Sequence, residues 1–164
     1  MLIRPAKTVD ASSITDIYNH YVRHSIITFV EDPIPVDEIK TDIETATSNQ
    51  LPYLVAEIDK QVLGYAYASK WKGRCAYRHS VEVTVYLSPK ALGEGIGSKL
   101  YQALFTELKE KSIHVVLAGI ALPNPESIAL HEKFGMEKAA HFKEVGYKFN
   151  KWVDVAYWQI IFQN

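Results

Sequence analysis

Apolar and polar positions alternate with a period of two from Ser80 to Leu87, which is the pattern of a strand. Val81, Val83, Val85 and Leu87 share one face, and Ser80, Glu82, Thr84 and Tyr86 share the other. Ser88-Pro89 ends the alternation, Gly93-Glu94-Gly95-Ile96-Gly97 follows, and then Ile96, Leu100, Leu104 and Leu108 recur every four residues, as on one side of a helix. The stretch predicts a strand, a glycine-rich turn and a helix in succession. The rest of the chain is arranged around it. Leu2-Ile3-Arg4 is a short opening strand. Asp10 can cap a helix whose Ile14, Ile17, Tyr18 and Tyr21 lie on one side, and Val36, Ile39, Ile43 and Ala46 mark a second helix. Between them, Ser25 to Pro35 reads as an unusually apolar loop, able to pack down or to touch a ligand. Tyr53 to Ile58 and Val62 to Ala68 read as strands joined by a tight hairpin at Asp59-Lys60-Gln61. Trp71 to His79 reads as a loop or a broken strand end.

Ile113 to Leu122 is nearly all apolar and suits a buried strand; Asn124-Pro125 then opens a helix that Phe134-Gly135 ends. Two strands are expected around Gly146 to Trp152. With no repeat, linker or low-complexity segment, the order predicts one domain over residues 1–164 and an α/β or α+β fold with a mixed sheet.

Composition narrows the partners. A chain of 164 residues with 48% apolar and 23% charged residues can bury an ordinary core. Its net charge of −1, without basic runs, argues against nucleic acid or a lipid surface as the main partner. The single cysteine, Cys75, precludes an internal disulfide and fits a reducing compartment. Because Met1 to Pro5 lacks the apolar core of a signal peptide and no apolar run can span a bilayer, a cytoplasmic protein is expected.

Chemistry concentrates at the central turn. Glycines ahead of a helix leave its first N–H groups uncovered, and with the helix dipole these attract phosphate oxygens. The spacing is neither that of a dinucleotide turn nor that of a Walker loop. The glycines serve either a phosphate cradle or merely a tight turn. Glu82, on the polar face of the leading strand, is either a base whose pKa burial would raise or a carboxylate satisfied by Arg74, Arg78 or another strand. His131 is either a proton donor or a filler of the helix–sheet interface. His20 and His24 have a metal-like spacing without a third ligand nearby, so no metal is expected. Cys75 reads as a small core residue.

Gly95-Ile96-Gly97 before a helix, with Asn124-x-x-Ser127-x-x-x-His131-Glu132-x-x-Gly135 two elements later, resembles the GNAT superfamily of N-acetyltransferases. Within it, Trp71-Lys72-x-Arg74-x-Ala76-Tyr77, Val81-Glu82-Val83-Thr84-Val85-Tyr86, Leu122-Pro123-Asn124, Leu130-His131-Glu132, Gly146-Tyr147-Lys148 and Trp152-x-Asp154-Val155-x-x-Trp158-Gln159 resemble the phosphinothricin / methionine sulfoximine acetyltransferases. The resemblance runs from Leu2 to Phe162. It implies a mixed, mostly antiparallel sheet with about four flanking helices, splayed at the central strand. It also implies acetyl-CoA as co-substrate and a small amino acid or analogue as acceptor, with tryptophan and aminoadipate among the candidates.

On that resemblance Glu82 is the general base, directly or through a water, and His131 stands where many relatives carry a tyrosine that reprotonates the thiolate. Main-chain groups of Val85, Tyr86 and Leu87 would pair with the pantetheine arm, with one N–H steadying the oxyanion. Leu92, Gly93, Glu94, Gly95, Ile96, Gly97 and Ser98 would hold the pyrophosphate, and Asn124 and Ser127 would touch the cofactor. Leu92 replaces the usual Gln or Arg, and Glu94 adds a negative charge. For the acceptor, Phe29 and the Arg74-Cys75-Ala76-Tyr77-Arg78 segment are the candidates, since arginine grips carboxylates and phosphinates two-pronged; the two arginines read equally as surface charges. Lys148 and Trp152 are candidates to close the site, from this subunit or a second one, with Trp152 reading equally as core; exposed aromatics on the C-terminal strands together with the resemblance suggest a homodimer.

Overall fold

The computed structural model describes residues 1–163. Its strands are β1 (Leu2–Pro5), β2 (Tyr53–Ile58), β3 (Gln61–Lys70), β4 (Ser80–Leu87), β5 (Val115–Ala121), β6 (Glu137–Lys148) and β7 (Lys151–Ile161); its helices are α1 (Ala11–His24), α2 (Val36–Ser48), α3 (Ile96–Glu110) and α4 (Pro125–Lys133). They form one seven-stranded sheet in the order β1-β2-β3-β4-β5-β7-β6. Every neighbouring pair is antiparallel except β4 and β5, which run parallel because α3 carries the chain back between them. The mixed, mostly antiparallel sheet is the architecture expected.

Two cores sandwich the sheet. Ile96, Leu100, Leu104 and Leu108 of α3 are all fully buried against Leu54, Ala56, Ala66, Ala68, Val81 and Val83. On the opposite face α1 and α2 bury Ile14, Ile17, Ile39 and Ile43 against Tyr53, Val55 and Tyr65. The alternation along β4 therefore sends its valines toward α3 and Glu82, Thr84 and Tyr86 toward α1 and α2.

Local details depart from expectation in four places. Asp10 does not cap α1 with its side chain. It is buried, takes both ends of the Arg4 guanidinium at 2.8 Å and accepts the Lys7 N–H, while Arg4 also reaches Glu57 at 2.8 Å. The first hairpin turns on Asp59 and Lys60 alone, both at positive φ, and Gln61 already opens β3. The C-terminal strands run 12 and 11 residues, with the turn at Phe149-Asn150, also at positive φ. A bulge between Phe142 and Gly146 breaks the period that would have marked β6. Cys75 is exposed, in a single helical turn (Cys75–Tyr77), because the segment from Lys72 to His79 lies on the surface. No helix among the described residues is long and apolar enough to cross a membrane.

Candidate active site

β4 and β5 pair only from Ser80–Val115 to Glu82–Leu117, although β4 continues to Leu87 and β5 to Ala121. Beyond Glu82 the strands part. The main-chain phase along β4 follows from its ends: Ser88 N–H donates to Leu63 and Trp71 N–H to Ser80, so even-numbered groups face β3, while the His79 carbonyl accepts from His114 on the β5 side. The last rung, Glu82 opposite Leu117, uses the Val83 N–H, so the Val83 C=O and both main-chain groups of Val85 and Leu87 turn into the gap. Tyr86, expected to pair through its main chain, faces β3 instead; its side chain lines the gap. One group of this edge is taken, since the Tyr21 hydroxyl donates to the Leu87 carbonyl at 2.6 Å.

The gap opens into a cleft of about 200 Å³ lined by Glu82, Val85, Tyr86, Tyr101, Asn124, Ser127 and His131, with Ile27 at its far side. It runs from the α3/α4 face of the sheet to the α1/α2 face. Glu82 is half-buried at its end. Burial lifts its carboxyl above the ordinary carboxylate range, while the facing Tyr157 hydroxyl and the Lys72 ammonium pull the other way. Neither Arg74 nor Arg78 is its partner. Tyr157 reaches Glu82 because Gly119, its cross-strand neighbour on β5, has no side chain; a Cβ there would stand 2.9 Å from Tyr157 Cζ.

At the other end of β4, Gly93 and Gly95 take φ of +81° and +74° with open space where a Cβ would be, and α3 starts at Ile96. The N–H groups of Ile96, Gly97 and Ser98 have no intrahelical acceptor, and the 15-residue helix adds its dipole. Leu92 and Glu94 are exposed beside them. Lys133 of α4 donates to Ser98 Oγ at 3.0 Å, which puts an ammonium over the first turn of α3. An anion with several oxygens fits this turn.

Asn124 caps α4, its Oδ1 accepting the Ser127 N–H at 3.1 Å. His131 is 3% exposed, with Nδ1 2.6 Å from the Ser127 carbonyl. A carbonyl only accepts, so Nδ1 carries the proton, and Nε2 is the acceptor for the Tyr101 hydroxyl at 2.8 Å. Burial pushes the His131 pKa down and the buried Tyr101 far up, so both are neutral near pH 7. With Nδ1 protonated, His131 carries no proton at Nε2 and holds the hydroxyl of Tyr101 there.

On the α1/α2 face a second, wider pocket of about 640 Å³ is lined by Phe29, Trp71, Lys72, Phe142, Tyr147 and Tyr157, among others. Phe29 forms part of its wall. The segment Arg74, Cys75, Ala76, Tyr77 and Arg78 is exposed beyond Lys72, with the Arg78 guanidinium donating to the Cys75 carbonyl at 3.1 Å; the structure does not bring it into the cleft.

The family model for the acetyltransferase (GNAT) domain matches residues 3–157. The chain belongs to the GNAT acetyltransferase family. It is 39% identical to a phosphinothricin N-acetyltransferase of Streptomyces viridochromogenes over 98% of this chain and 87% of that one. It is 35% identical to an L-methionine sulfoximine/L-methionine sulfone acetyltransferase of Salmonella typhimurium, covering 98% and 94%. A GNAT phosphinothricin acetyltransferase from Sinorhizobium meliloti, solved in complex with AcCoA, superposes with a TM-score of 0.94 at 38% identity, covering 98% of this chain and 87% of that chain. The family and the fold read from Gly95–Gly97 and Asn124–Gly135 are therefore those observed, and the chain is an N-acetyltransferase.

In this GNAT chain the structure adds four residues that sequence reasoning did not assign: Tyr101, Tyr157, Lys72 and Lys133. Trp71-Lys72 stands within a motif that carried the resemblance, a signal that could have drawn attention to the lysine. Tyr157 gave none, since its proximity to Glu82 depends on the β4-β5-β7 strand order.

Proposed function

We propose that this chain, acting as one catalytic domain, moves an acetyl group from acetyl-CoA directly to the α-amino group of a small amino acid or analogue of the phosphinothricin and methionine sulfoximine kind. One observation carries the reading: a half-buried carboxylate, Glu82, stands where a cleft edged by free main-chain groups meets an aromatic pocket. Acetyl-CoA supplies the activated acyl group and a leaving thiolate. Gly93 to Ser98, with Lys133, would hold its pyrophosphate, while Val83, Val85 and Leu87 would align its pantetheine as an added strand. A main-chain N–H on this edge is available to the acyl oxygen as negative charge gathers there.

Glu82 takes the proton of the incoming ammonium, directly or through a water. An α-ammonium group has a pKa of about 8, so roughly one unit of assistance suffices near pH 7, and burial of Glu82 moves its own pKa in the useful direction. Lys72, which lines the aromatic pocket, supplies a cation for the acceptor's carboxylate or phosphinate. A polyamine or an aminoglycoside would meet Lys72 unfavourably. In a thiol-release assay, phosphinothricin, methionine sulfoximine or free amino acids such as tryptophan and aminoadipate are expected to be turned over at least tenfold faster than polyamines, aminoglycosides or peptide N-termini. The reverse ranking, or no turnover of any amine, would remove the acceptor assignment.

Two residues have graded roles. Removing the Tyr157 hydroxyl takes away a neighbour that holds the Glu82 pKa down. Tyr157→Phe is therefore expected to move the acid limb of kcat/KM to higher pH and to lose activity mainly on the acid side. An unmoved limb would show that the two groups do not interact in the working enzyme. His131→Ala is expected to slow turnover less than tenfold, because reprotonation through Tyr101 would need a doubly protonated His131 that burial resists. A larger loss with cofactor affinity intact would restore His131 as the main acid.

The C-terminal hairpin exposes Phe142, Val145, Tyr147, Phe149 and Trp152, each at least 50% accessible. So much adjoining aromatic surface marks a contact, and we read it as the interface of a homodimer. Light scattering is expected to give twice the chain mass; a monomer at micromolar concentration would contradict this. Direct transfer from a thioester needs no metal, and an exposed, unpaired Cys75 suits the cytoplasm.

A further inference from the structure

A buried lysine stands on the acceptor side without a part in the chemistry. Lys148, the last residue of β6, is 2% exposed, and its Nζ donates to the main-chain carbonyl of Thr28 at 2.8 Å. Thr28 lies in the apolar loop between α1 and α2, itself 6% exposed, at a pivotal place. The residue before it, Ile27, lines the cleft that ends at Glu82, and the residue after it, Phe29, lines the aromatic pocket. The loop is fastened from three elements. The Tyr18 hydroxyl on α1 is 2.6 Å from Thr28 Oγ, the Tyr86 hydroxyl on β4 is 3.4 Å from the Ile27 carbonyl, and Lys148 reaches in from the C-terminal hairpin.

The hairpin also makes the seat for Phe29. Gly146, two residues before Lys148, lies under the Phe29 ring, and a Cβ at that position would come within 2.5 Å of Phe29 Cζ and overlap the ring edge. Burying an ammonium group is costly, and an apolar side chain would fill the same space without that cost. What the lysine supplies and an apolar residue would not is a directed bond to one carbonyl. We propose that Lys148 is a positioning residue of the acceptor site: by holding Thr28 from the hairpin it seats Phe29 on Gly146 and so fixes the aromatic wall against which the acceptor's side chain lies. The proposal rests on the reading of the pocket at Phe29 as the acceptor site. It also ties that wall to the hairpin that carries the exposed Tyr147 and Trp152.

Lys148→Met keeps the apolar stem and deletes the donor. In the full-length protein it is expected to raise the KM for methionine sulfoximine at least fivefold, with the dissociation constant of acetyl-CoA changed less than twofold. Amide hydrogen exchange of residues 27–30 is expected to quicken at least tenfold while α3 and β4 keep their protection. Because Lys148 acts through Phe29, adding Lys148→Met to Phe29→Ala should leave the KM of Phe29→Ala unchanged, whereas a general structural role gives effects that multiply. Gly146→Ala, which disturbs the same seat without touching the lysine, should reproduce the rise in KM if Lys148→Met fails to fold. Unchanged exchange at 27–30, or multiplying effects in the double variant, would overturn the proposal. Quickened exchange with an unchanged KM would overturn the assignment of Phe29 to the acceptor instead, as would a wild-type enzyme that acetylates no amino acid.

Discussion

Replacing Glu82 by glutamine is expected to lower turnover at least tenfold and to leave the dissociation constant of acetyl-CoA unchanged. The substitution keeps shape and polarity but removes the carboxylate that would take an ammonium proton, and 10²- to 10⁴-fold is the usual range for a positioned base. The cofactor elements, Gly93 to Ser98 and the free edge of β4, lie at a distance along the strand and are untouched. Stability should move the other way. Burial raises the folded-state pKa of Glu82 above its unfolded value, so between the two the folded chain binds more protons. Stability contributed by this group is thus highest at low pH, falls as pH rises through that window and stays lower above it. Glu82→Gln removes the penalty and is expected to melt at the same temperature as wild type or higher at pH 7, which excludes unfolding as the cause of lost turnover. Equal turnover in the two proteins would take Glu82 out of the mechanism.

The second large effect is on cofactor affinity. Gly95 holds φ of +74° with nothing near its missing Cβ, so the penalty of a side chain there is almost wholly backbone strain. For a β-branched residue in the left-handed region that strain is about 2 kcal/mol. A turn that escapes it must swing its N–H groups away from the axis of α3. Gly95→Val is expected to weaken acetyl-CoA binding at least tenfold, as read by calorimetry, with kcat at saturating cofactor within threefold of wild type. Gly95→Asn, which tolerates that conformation, should lose much less. An unchanged affinity in Gly95→Val would mean the turn does not hold the diphosphate.

Legibility followed the range of the interactions. The unit from Ser80 to Leu108 was readable because both its periods are local: the alternation that puts Glu82 opposite the valines, and the four-residue recurrence whose four members are all fully buried. Alternation fixes where side chains point but not which way the main chain of each residue bonds. That phase comes from pairing with β3, so alternation alone does not show that the main chain of Tyr86 faces β3 while its side chain lines the cleft. Tyr157 and Lys148 act across contacts set by the strand order and by a hairpin folding back on the α1–α2 loop, which no local pattern encodes. For Glu82 the sequence leaves Arg74, Arg78 or a side chain of another strand as partners, and only the sheet order shows which: a tyrosine from 75 positions later. His131 was identified as a site residue, but its direction of proton donation depends on the Ser127 carbonyl one turn back and on Tyr101 of another helix.

The most direct test is a crystal structure of this chain with acetyl-CoA. The diphosphate is expected against the N–H groups of Gly93 to Ser98, the pantetheine along Val83, Val85 and Leu87 between the parted strands, and the acetyl carbon within reach of the Glu82 carboxylate. A ligand bound outside the β4–β5 gap, or a Glu82 side chain turned away from the acetyl group, would contradict this placement.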